Sequence, residues 1–425
     1  MKPKNKFQLQ IVKASRTLPK ITATQLRWAY DHCFEYIGRR SAKGVITCAR
    51  CGHSWQGDSH LIDTLAGNVC PNCATELKVE TTRRRNFSDY EYLCIVTTCR
   101  GYQVLRFVYI EMTAKAGAPA KYYTQEVVQR WIAPDGRNAV LAKLRPMGYF
   151  VHGWSWHSAL EIRPDKPLYN INPTQIYPRQ RLIPEVKRTG YKTPVEGMTP
   201  FDTIHTLLSI PKTETLLKTE QNVLFRYFAC HSGTIDQYWP SVRIAIRNGY
   251  TVKEANEWID YIDLLRMFGK DIHNAKYVCP ADLKAEHDRY LARRQAERER
   301  ERLEHQRAKA LENEREFKEL KGKFFGIEFS DGHISVRVLD SVEDIMLEGN
   351  AMHHCVFTNN YHLRPDSLIL SATVDGKRIE TVEVSLSKLS VIQCRGACNK
   401  NTKYHSQIVE LVGRNMPLIE QRLTA

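Results

Sequence analysis

The pattern of apolar and polar residues predicts strands in one stretch, residues 81–163. Residues 92–97 and 102–110 are rich in β-branched and aromatic side chains and are separated by an Arg-Gly pair typical of a turn. Residues 122–132 repeat this composition before a Pro-Asp-Gly turn. Consecutive strands joined by short turns pair antiparallel, so we predict an antiparallel β domain here.

Helical spacing replaces this pattern in residues 201–283. Within that range, residues 214–231 read as a single helix, and Thr251 to Glu254 read as a capping box that begins a later one. Residues 284–323 then predict one long charged helix, because acidic and basic residues alternate at helical spacing. Only one heptad position is regularly apolar, so the pattern favours a solvated spacer helix over a coiled coil.

The last hundred residues combine strand patterns with short helices. The clearest feature is a hairpin around Asp375-Gly376, a dipeptide that favours the two-residue turn of paired strands. The predicted fold class is therefore α+β multidomain, with an N-terminal zinc ribbon. The predicted segments are a basic N-terminal helix region (1–40), the zinc ribbon (41–80), the antiparallel β domain (81–163), a Pro-rich connector (164–200), the helical domain (201–283), the charged helix (284–323) and a C-terminal α+β module (324–425).

Four cysteines give the most specific chemical signal in the chain. Cys48 and Cys51 form one Cys-x-x-Cys pair, and Cys70 and Cys73 form a second, with 18 residues between the pairs. Two such pairs supply the four soft ligands of a tetrahedral zinc ion, so the predicted cofactor is zinc in a structural site. The alternatives are four unrelated thiols or a redox dithiol. Zinc ribbons bind nucleic acid, bind protein or brace a domain, and the spacing does not choose among these roles.

Charge and composition point to a class of partner. The chain has 425 residues and a formal net charge of +15, which favours a polyanionic partner, with nucleic acid ahead of a membrane surface and DNA ahead of RNA. Basic and aromatic residues also alternate in the β domain, as on platforms that stack single-stranded nucleic acid; the alternative is an ordinary sheet with one wet face. The alternating residues are Arg84, Arg85, Tyr90, Tyr102, Arg106, Tyr109, Arg130 and Trp131.

Two further features concern location. The chain has no run of 18 apolar residues, so we expect no membrane span. Its twelve cysteines are mostly scattered, and the N-terminus has no apolar segment after its lysines, so we expect a cytoplasmic, reducing environment.

The C-terminal module contains the segment Met352-His353-His354-Cys355-Val356. Together with Glu348-Gly349, Tyr361, Thr381-Val382-Glu383 and Gln393-x-Arg395-Gly396-x-x-Asn399, this segment resembles the PcfJ-like proteins of conjugative plasmids and related mobile elements. The resemblance extends upstream through the helical stretch to Phe268, Cys279-Pro280 and His287-Asp288, and so covers about residues 200–415. It implies a mobile-element context and possible protein partners of such a system, and implies little about mechanism.

The chemistry of these residues allows three interpretations. In the catalytic one, a pocket contains His353, His354, Cys355, Tyr361, Glu383 and Arg395. Cys355 is then a nucleophile with a histidine base, Glu383 or Glu380 supplies a carboxylate, and Arg395 with Gln393 holds an anionic substrate. The ordering weakly resembles ADP-ribosyltransferase-like clefts. In an extended segment, His353 and Cys355 would share one face and His354 the other.

The second interpretation is a second zinc site, in which Cys394 and Cys398 join Cys355 and a histidine. The third is structural, with Cys355 as a small buried hydrophobe and the histidines bonded to the backbone. Three functions follow from the whole sequence: a zinc-binding, nucleic-acid-binding accessory protein of a mobile element; an enzyme, either transferase-like or nucleic-acid-processing; or a protein-interaction scaffold.

Overall fold

The computed structural model describes residues 2–65, 68–146 and 153–424. The predictions made for residues 66–67 of the ribbon and 147–152 of the β domain lie outside this range. The chain forms two compact units, which divide between His287 and Asp288. Both units combine helices with β-sheet, so the predicted α+β class is confirmed.

The first sheet of the N-terminal unit carries the four cysteines. Its elements and the helices before it are α1 (Lys6–Ser15), α2 (Ala23–His32), β1 (Tyr36–Arg40), β2 (Val45–Cys48), β3 (Ser54–Gln56), α3 (His60–Leu65), β4 (Asn68–Val69) and β5 (Glu76–Thr81). The strand order is β3-β2-β1-β5-β4, with β1 and β5 parallel and the other pairs antiparallel. Each Cys-x-x-Cys pair therefore lies at the turn of a short hairpin, β2–β3 or β4–β5.

The second sheet follows directly. Its elements are β6 (Asn86–Cys99), β7 (Tyr102–Lys115), β8 (Lys121–Ile132), β9 (Asn138–Ala142), β10 (Glu161–Arg163), β11 (Gln175–Ile176) and the helix α4 (Pro184–Arg188). The order is β10-β9-β8-β7-β6-β11, and β11 is a parallel edge strand contributed by the Pro-rich connector. Every residue of β7 from Gln103 to Ile110 is buried, so the centre of the sheet is covered on both faces. The prediction of one wet face is therefore wrong there.

The structure buries four of the eight residues predicted to form a stacking platform on this sheet, Arg106, Tyr109, Arg130 and Trp131, whereas Arg84, Arg85 and Tyr90 are exposed. Arg106 is buried and bonds Glu126 through two nitrogens, at 2.7 and 2.8 Å. Arg130 is 1% exposed and lies over the ring of Phe201 at 4.1 Å, and Trp131 is fully buried. These three side chains lie in the covered part of the sheet and are therefore unavailable to stack on bases.

Short helices complete the N-terminal unit. They are α5 (Pro200–Ser209), α6 (Thr213–Lys218), α7 (Asn222–Cys230), α8 (Ile235–Arg247), α9 (Ala255–Met267) and α10 (Ala275–Val278). The single helix predicted over residues 214–231 is broken at Glu220, whose φ of 56° lies in the left-handed region. The predicted capping box at Thr251 is also wrong, because α9 is preceded by Glu254 without a side-chain cap.

The long charged helix is present, but its second half is not a solvated spacer. This helix, α11 (Leu283–Lys321), buries Ala310 and Phe317 in a cluster with Ile345, Phe357 and Ile369. The sequence pattern did not reveal this contact, because only one heptad position of the helix is regularly apolar and most of the remaining positions are charged or polar. Among the described residues, no helix is both long enough and apolar enough to cross a membrane.

The C-terminal unit is built on one antiparallel sheet. Its other elements are β12 (Glu328–Ser330), β13 (Ile334–Val338), α12 (Val342–Met352), β14 (Ser367–Val374), β15 (Lys377–Ser385), β16 (Ser390–Arg395), α13 (His405–Arg414) and α14 (Met416–Thr424). The strands lie in sequence order. Val382 and Leu370 pack with α13 and α14 on one face, whereas Ile369 packs with α12 and α11 on the other. The loop after α12 lies on this second face.

Candidate functional site

The sulfur atoms of Cys48, Cys51, Cys70 and Cys73 all lie within 4.8 Å of one another. The Cys48–Cys73 separation is 3.9 Å and the Cys51–Cys70 separation is 3.6 Å. Zn–S bonds of about 2.3 Å in a tetrahedron place neighbouring sulfurs about 3.8 Å apart. The four thiols therefore have the spacing of a metal centre, and the residues predicted as metal ligands do converge.

Two similar backbone turns produce this arrangement. In each, the amide after the second cysteine donates to the carbonyl of the first: Gly52 to Cys48 and Ala74 to Cys70, both at 2.9 Å. Both residues have positive φ, 80° for Gly52 and 54° for Ala74. The turn also directs the amides of residues 50 and 51 at the Cys48 sulfur, and those of residues 72 and 73 at the Cys70 sulfur. Amide hydrogen bonds of this kind stabilise thiolates.

Burial raises the pKa of the Cys48 and Cys70 thiols, although these amide bonds partly offset the effect. A bound cation would favour the thiolate form and release the thiol protons, which would offset the effect of burial on these pKa values. The first turn is also fixed against the second sheet. A Cβ on Gly52 would lie 2.7 Å from backbone atoms of Ala118, in the loop between β7 and β8. The geometry of the four-cysteine cluster is thereby coupled to the packing of both sheets.

A second site lies in the C-terminal unit, where the loop after α12 covers the ends of β15 and β16. A pocket of about 180 Å³ opens there. Its lining residues are His354, Cys355, Val356, Tyr361, Ile369, Thr381, Glu383, Gln393, Arg395 and Asn399. Five of the six side chains named from the sequence as catalytic candidates line this pocket, and His353 does not.

The sheet supplies one wall through strand register. Thr381 pairs directly with Arg395, and Glu383 pairs with Gln393. Residues two apart on a strand share a face, so these four polar side chains form a two-by-two patch. The two-residue spacing of these side chains predicts a shared face once β15 and β16 are known to pair. Thr381 and Asn399 were not named from the sequence as candidates.

The loop supplies the opposite wall, by a route that the sequence interpretation missed. His353 ends α12 in the left-handed conformation, with φ of 54°, and its side chain is exposed. The chain reverses at this residue, so His354 and Cys355 both reach the pocket. The predicted extended alternation is therefore wrong. Gly349 permits the reversal, because a Cβ there would lie 3.1 Å from the carbonyl oxygen of His354.

Hydrogen bonds orient the polar groups of the pocket. His354 Nε2 lies 2.7 Å from the carbonyl oxygen of Gly396. A carbonyl only accepts, so Nε2 carries the proton of the neutral ring and Nδ1 keeps a lone pair. Glu383 Oε1 accepts from Ser367 Oγ at 2.5 Å, and Arg395 donates to Asn401 at 2.5 Å. The pocket thus contains an oriented base, a carboxylate and a guanidinium.

The structure agrees less well with the structural and second-zinc interpretations of the His-His-Cys motif. Cys355 is exposed, which contradicts its interpretation as a buried hydrophobe, although His354 does bond the backbone as that interpretation expected. Cys394 is buried beside Glu380, whereas Cys355 and Cys398 are exposed. Within the described residues, these three cysteines do not form a metal-ligand group, so the predicted second zinc set is wrong as proposed.

A buried histidine next to the pocket loop gives a testable pH dependence. His362 is fully buried against the rings of Phe357 and Phe317, and neither ring nitrogen has a hydrogen-bond partner among the described residues. Burial, with a smaller contribution from Lys309, lowers its pKa to about 4. The unfolded chain therefore binds a proton between about pH 6.5 and 4 that the folded chain does not. The free energy of unfolding should therefore decrease as the pH is lowered from about 6.5 to 4, by up to about 3 kcal/mol.

Urea unfolding of the wild type and His362→Phe from pH 7 to pH 4 measures this effect. We expect the variant to lose much of the pH dependence, while the exposed His333→Gln control retains it. An unchanged pH slope in His362→Phe would contradict the assignment.

Comparison with known proteins gives one match. Residues 257–409 match the family model described as PcfJ-like protein, a range that contains the whole pocket. No curated protein and no solved structure gives a match. The matched range covers just over a third of the chain and excludes the four-cysteine cluster. From α9 to the middle of α13, the chain is therefore similar to the PcfJ-like protein family.

Proposed function

We propose that the pocket of the C-terminal unit is the active site of an enzyme whose substrate carries a phosphate or carboxylate group. The observation that supports this proposal is the position of five side chains named from the sequence: His354, Cys355, Tyr361, Glu383 and Arg395 all line one small cavity. Polar and nucleophilic groups that converge on a concave site are the usual mark of catalysis.

Each group has a role that fits its contacts. The Arg395 guanidinium, next to Gln393 on the same patch, binds the anionic group, because its planar donors match phosphate and carboxylate oxygens. His354 acts as a general base through Nδ1, because Nε2 carries the ring proton and donates it to the Gly396 carbonyl. The exposed thiol of Cys355 is the nucleophile. Glu383, held by Ser367, positions a donor group of the substrate.

The wider proposal is a PcfJ-like accessory protein of a mobile element with zinc in its N-terminal cysteine cluster. The family match supports the context, and the sulfur geometry supports the metal. Four thiolate ligands suit zinc and fill its tetrahedral coordination, so the proposed ion has a structural role.

Ligand binding tests the pocket directly. A panel of nucleotides, dinucleotides and sugar phosphates is screened by thermal shift against the wild type, Arg395→Ala and the surface control Arg414→Ala. We expect at least one compound class to stabilise the wild type and the control but not Arg395→Ala. Loss of one charge-assisted contact should weaken binding about 10- to 100-fold. A panel without any Arg395-dependent compound would contradict the proposal.

The catalytic role of His354 has a separate test. His354→Gln keeps a donor for the Gly396 carbonyl and removes the base. With a substrate identified from the panel, kcat should fall about 10²- to 10⁴-fold while the unfolding temperature stays near that of the wild type. Equal turnover in the wild type and the variant would remove His354 from the mechanism.

Nucleic-acid binding by the N-terminal unit is the second candidate. It is favoured by Arg83, Arg84 and Arg85, which are all exposed in the turn between β5 and β6, and by the net charge of +15. Electrophoretic shifts on single- and double-stranded DNA and on RNA, repeated across salt concentrations, test it. The double variant Arg83→Ala/Arg85→Ala should make the negative slope of log affinity against log salt shallower by about 1 to 2. The control double variant Arg243→Ala/Arg247→Ala should leave the slope unchanged. Absence of salt-sensitive binding by the wild type would eliminate this candidate.

A further inference from the structure

A second cluster of metal-ligand side chains lies on the opposite face of β15 from the pocket. It consists of Glu380 on β15, Cys394 on β16 and His405 at the start of α13. One ligand atom from each residue lies within 4.8 Å of the others. We infer that these three residues form a second metal site that binds a zinc ion independently of the N-terminal cysteines.

The donor set supports zinc. It combines a thiolate sulfur, an imidazole nitrogen and a carboxylate oxygen, and zinc accepts all three in tetrahedral geometry. Three protein ligands leave one coordination position for water, which distinguishes this cluster from the closed N-terminal set.

The present distances are close to those of a filled site. The Glu380 Oε2 atom lies 2.8 Å from Cys394 Sγ and 2.9 Å from His405 Nδ1. A tetrahedral zinc ion would hold sulfur and oxygen about 3.5 Å apart and nitrogen and oxygen about 3.3 Å apart. Each separation must therefore widen by less than about 1 Å, which side-chain rotation can provide.

The surroundings also suit an ion. Glu380 is fully buried, and its other oxygen accepts from the Thr402 amide at 2.6 Å, which fixes the orientation of the carboxylate. The His405 side chain is 28% exposed, so this side offers an entry path. Glu380 and Cys394 are next in sequence to the pocket residues Thr381 and Arg395. Neighbouring strand residues face opposite sides of a sheet, so Glu380 and Cys394 reach the cluster.

Zinc stoichiometry of the full chain tests the inference. Protein is equilibrated with excess zinc chloride, desalted to remove unbound ion, and analysed by elemental mass spectrometry. We expect two zinc ions per wild-type chain and one per chain in both His405→Ala and Cys394→Ser. Cys398→Ser, an exposed cysteine four residues away, is the matched control and should retain two.

Two outcomes would overturn the inference. One is a wild type that holds no more than one ion and keeps the same zinc content in both His405→Ala and Cys394→Ser, which would leave the cluster as a hydrogen-bonded group. The other is two ions in both His405→Ala and Cys394→Ser. Since His405 is at the edge of the core, circular dichroism of His405→Ala checks that loss of zinc is not loss of fold. An unfolded His405→Ala is replaced by His405→Gln, which should also bind one ion, and a second ion in that variant would contradict the site.

Discussion

Removal of the zinc ion proposed for the four-cysteine cluster should unfold the sheet of β1 to β5 and loosen the sheet beside it. A structural zinc ion contributes about 10–16 kcal/mol to the folding of isolated zinc-finger peptides, and this small sheet adds only a few buried apolar side chains, such as Tyr36, Ile46 and Leu77. Cys48 and Cys70 belong to the same buried cluster as Phe87, Ile110 and Met112 of the second sheet. The effect should therefore extend beyond the ribbon.

Hydrogen exchange of the full chain, with and without a zinc chelator, measures this directly. We expect amides of residues 36–81 to lose protection and the unfolding temperature of the N-terminal unit to fall by about 10 °C or more. Cys73→Ser should reproduce the change, and the exposed Cys230→Ser should not. Protection that survives complete zinc removal would show that the cluster does not organise this unit.

Replacement of Glu348 by Ala should destabilise the C-terminal unit by about 3 kcal/mol or more. This carboxylate is fully buried on α12 and accepts from Ser371 Oγ and Thr381 Oγ1, each at 2.8 Å. Arg378 Nε lies 3.0 Å away. Alanine would leave these partners buried without an acceptor, and α12 would lose its polar anchor beneath the pocket.

Glu348→Gln should cost less than Glu348→Ala, because the amide oxygen keeps an acceptor for one of the Ser371 and Thr381 hydroxyls, although the charge opposite Arg378 is lost. Urea unfolding of both variants measures the difference. Glu343→Ala, exposed on the same helix, is the control and should lie within about 0.5 kcal/mol of the wild type. Equal stability of Glu348→Ala and the wild type would contradict the role of this network.

The features predicted well from the sequence are those set by local chemistry. Asp375 and Gly376 both have positive φ, 50° and 73°, as the predicted two-residue hairpin turn requires. The cysteine spacing likewise anticipated the sulfur cluster. In both cases a few neighbouring residues determine the geometry, so no long-range contact is needed to read it.

The features predicted poorly depend on contacts between distant segments. The left-handed conformation of His353 turns the loop toward the sheet. A histidine at this position does not by itself predict that conformation. Arg106 and Arg130 read as surface cations until the sheet is seen to be covered on both faces. The burial of Phe317 depends on α12, which begins 25 residues later in the chain.

The proposed active site is tested most directly by a crystal structure of the full chain grown with the compound that gives the largest Arg395-dependent thermal shift. We predict that the anionic group of the ligand contacts the Arg395 guanidinium and that a reacting group lies within hydrogen-bond distance of His354 Nδ1. A ligand bound outside the pocket, or within it but away from both side chains, would contradict the account.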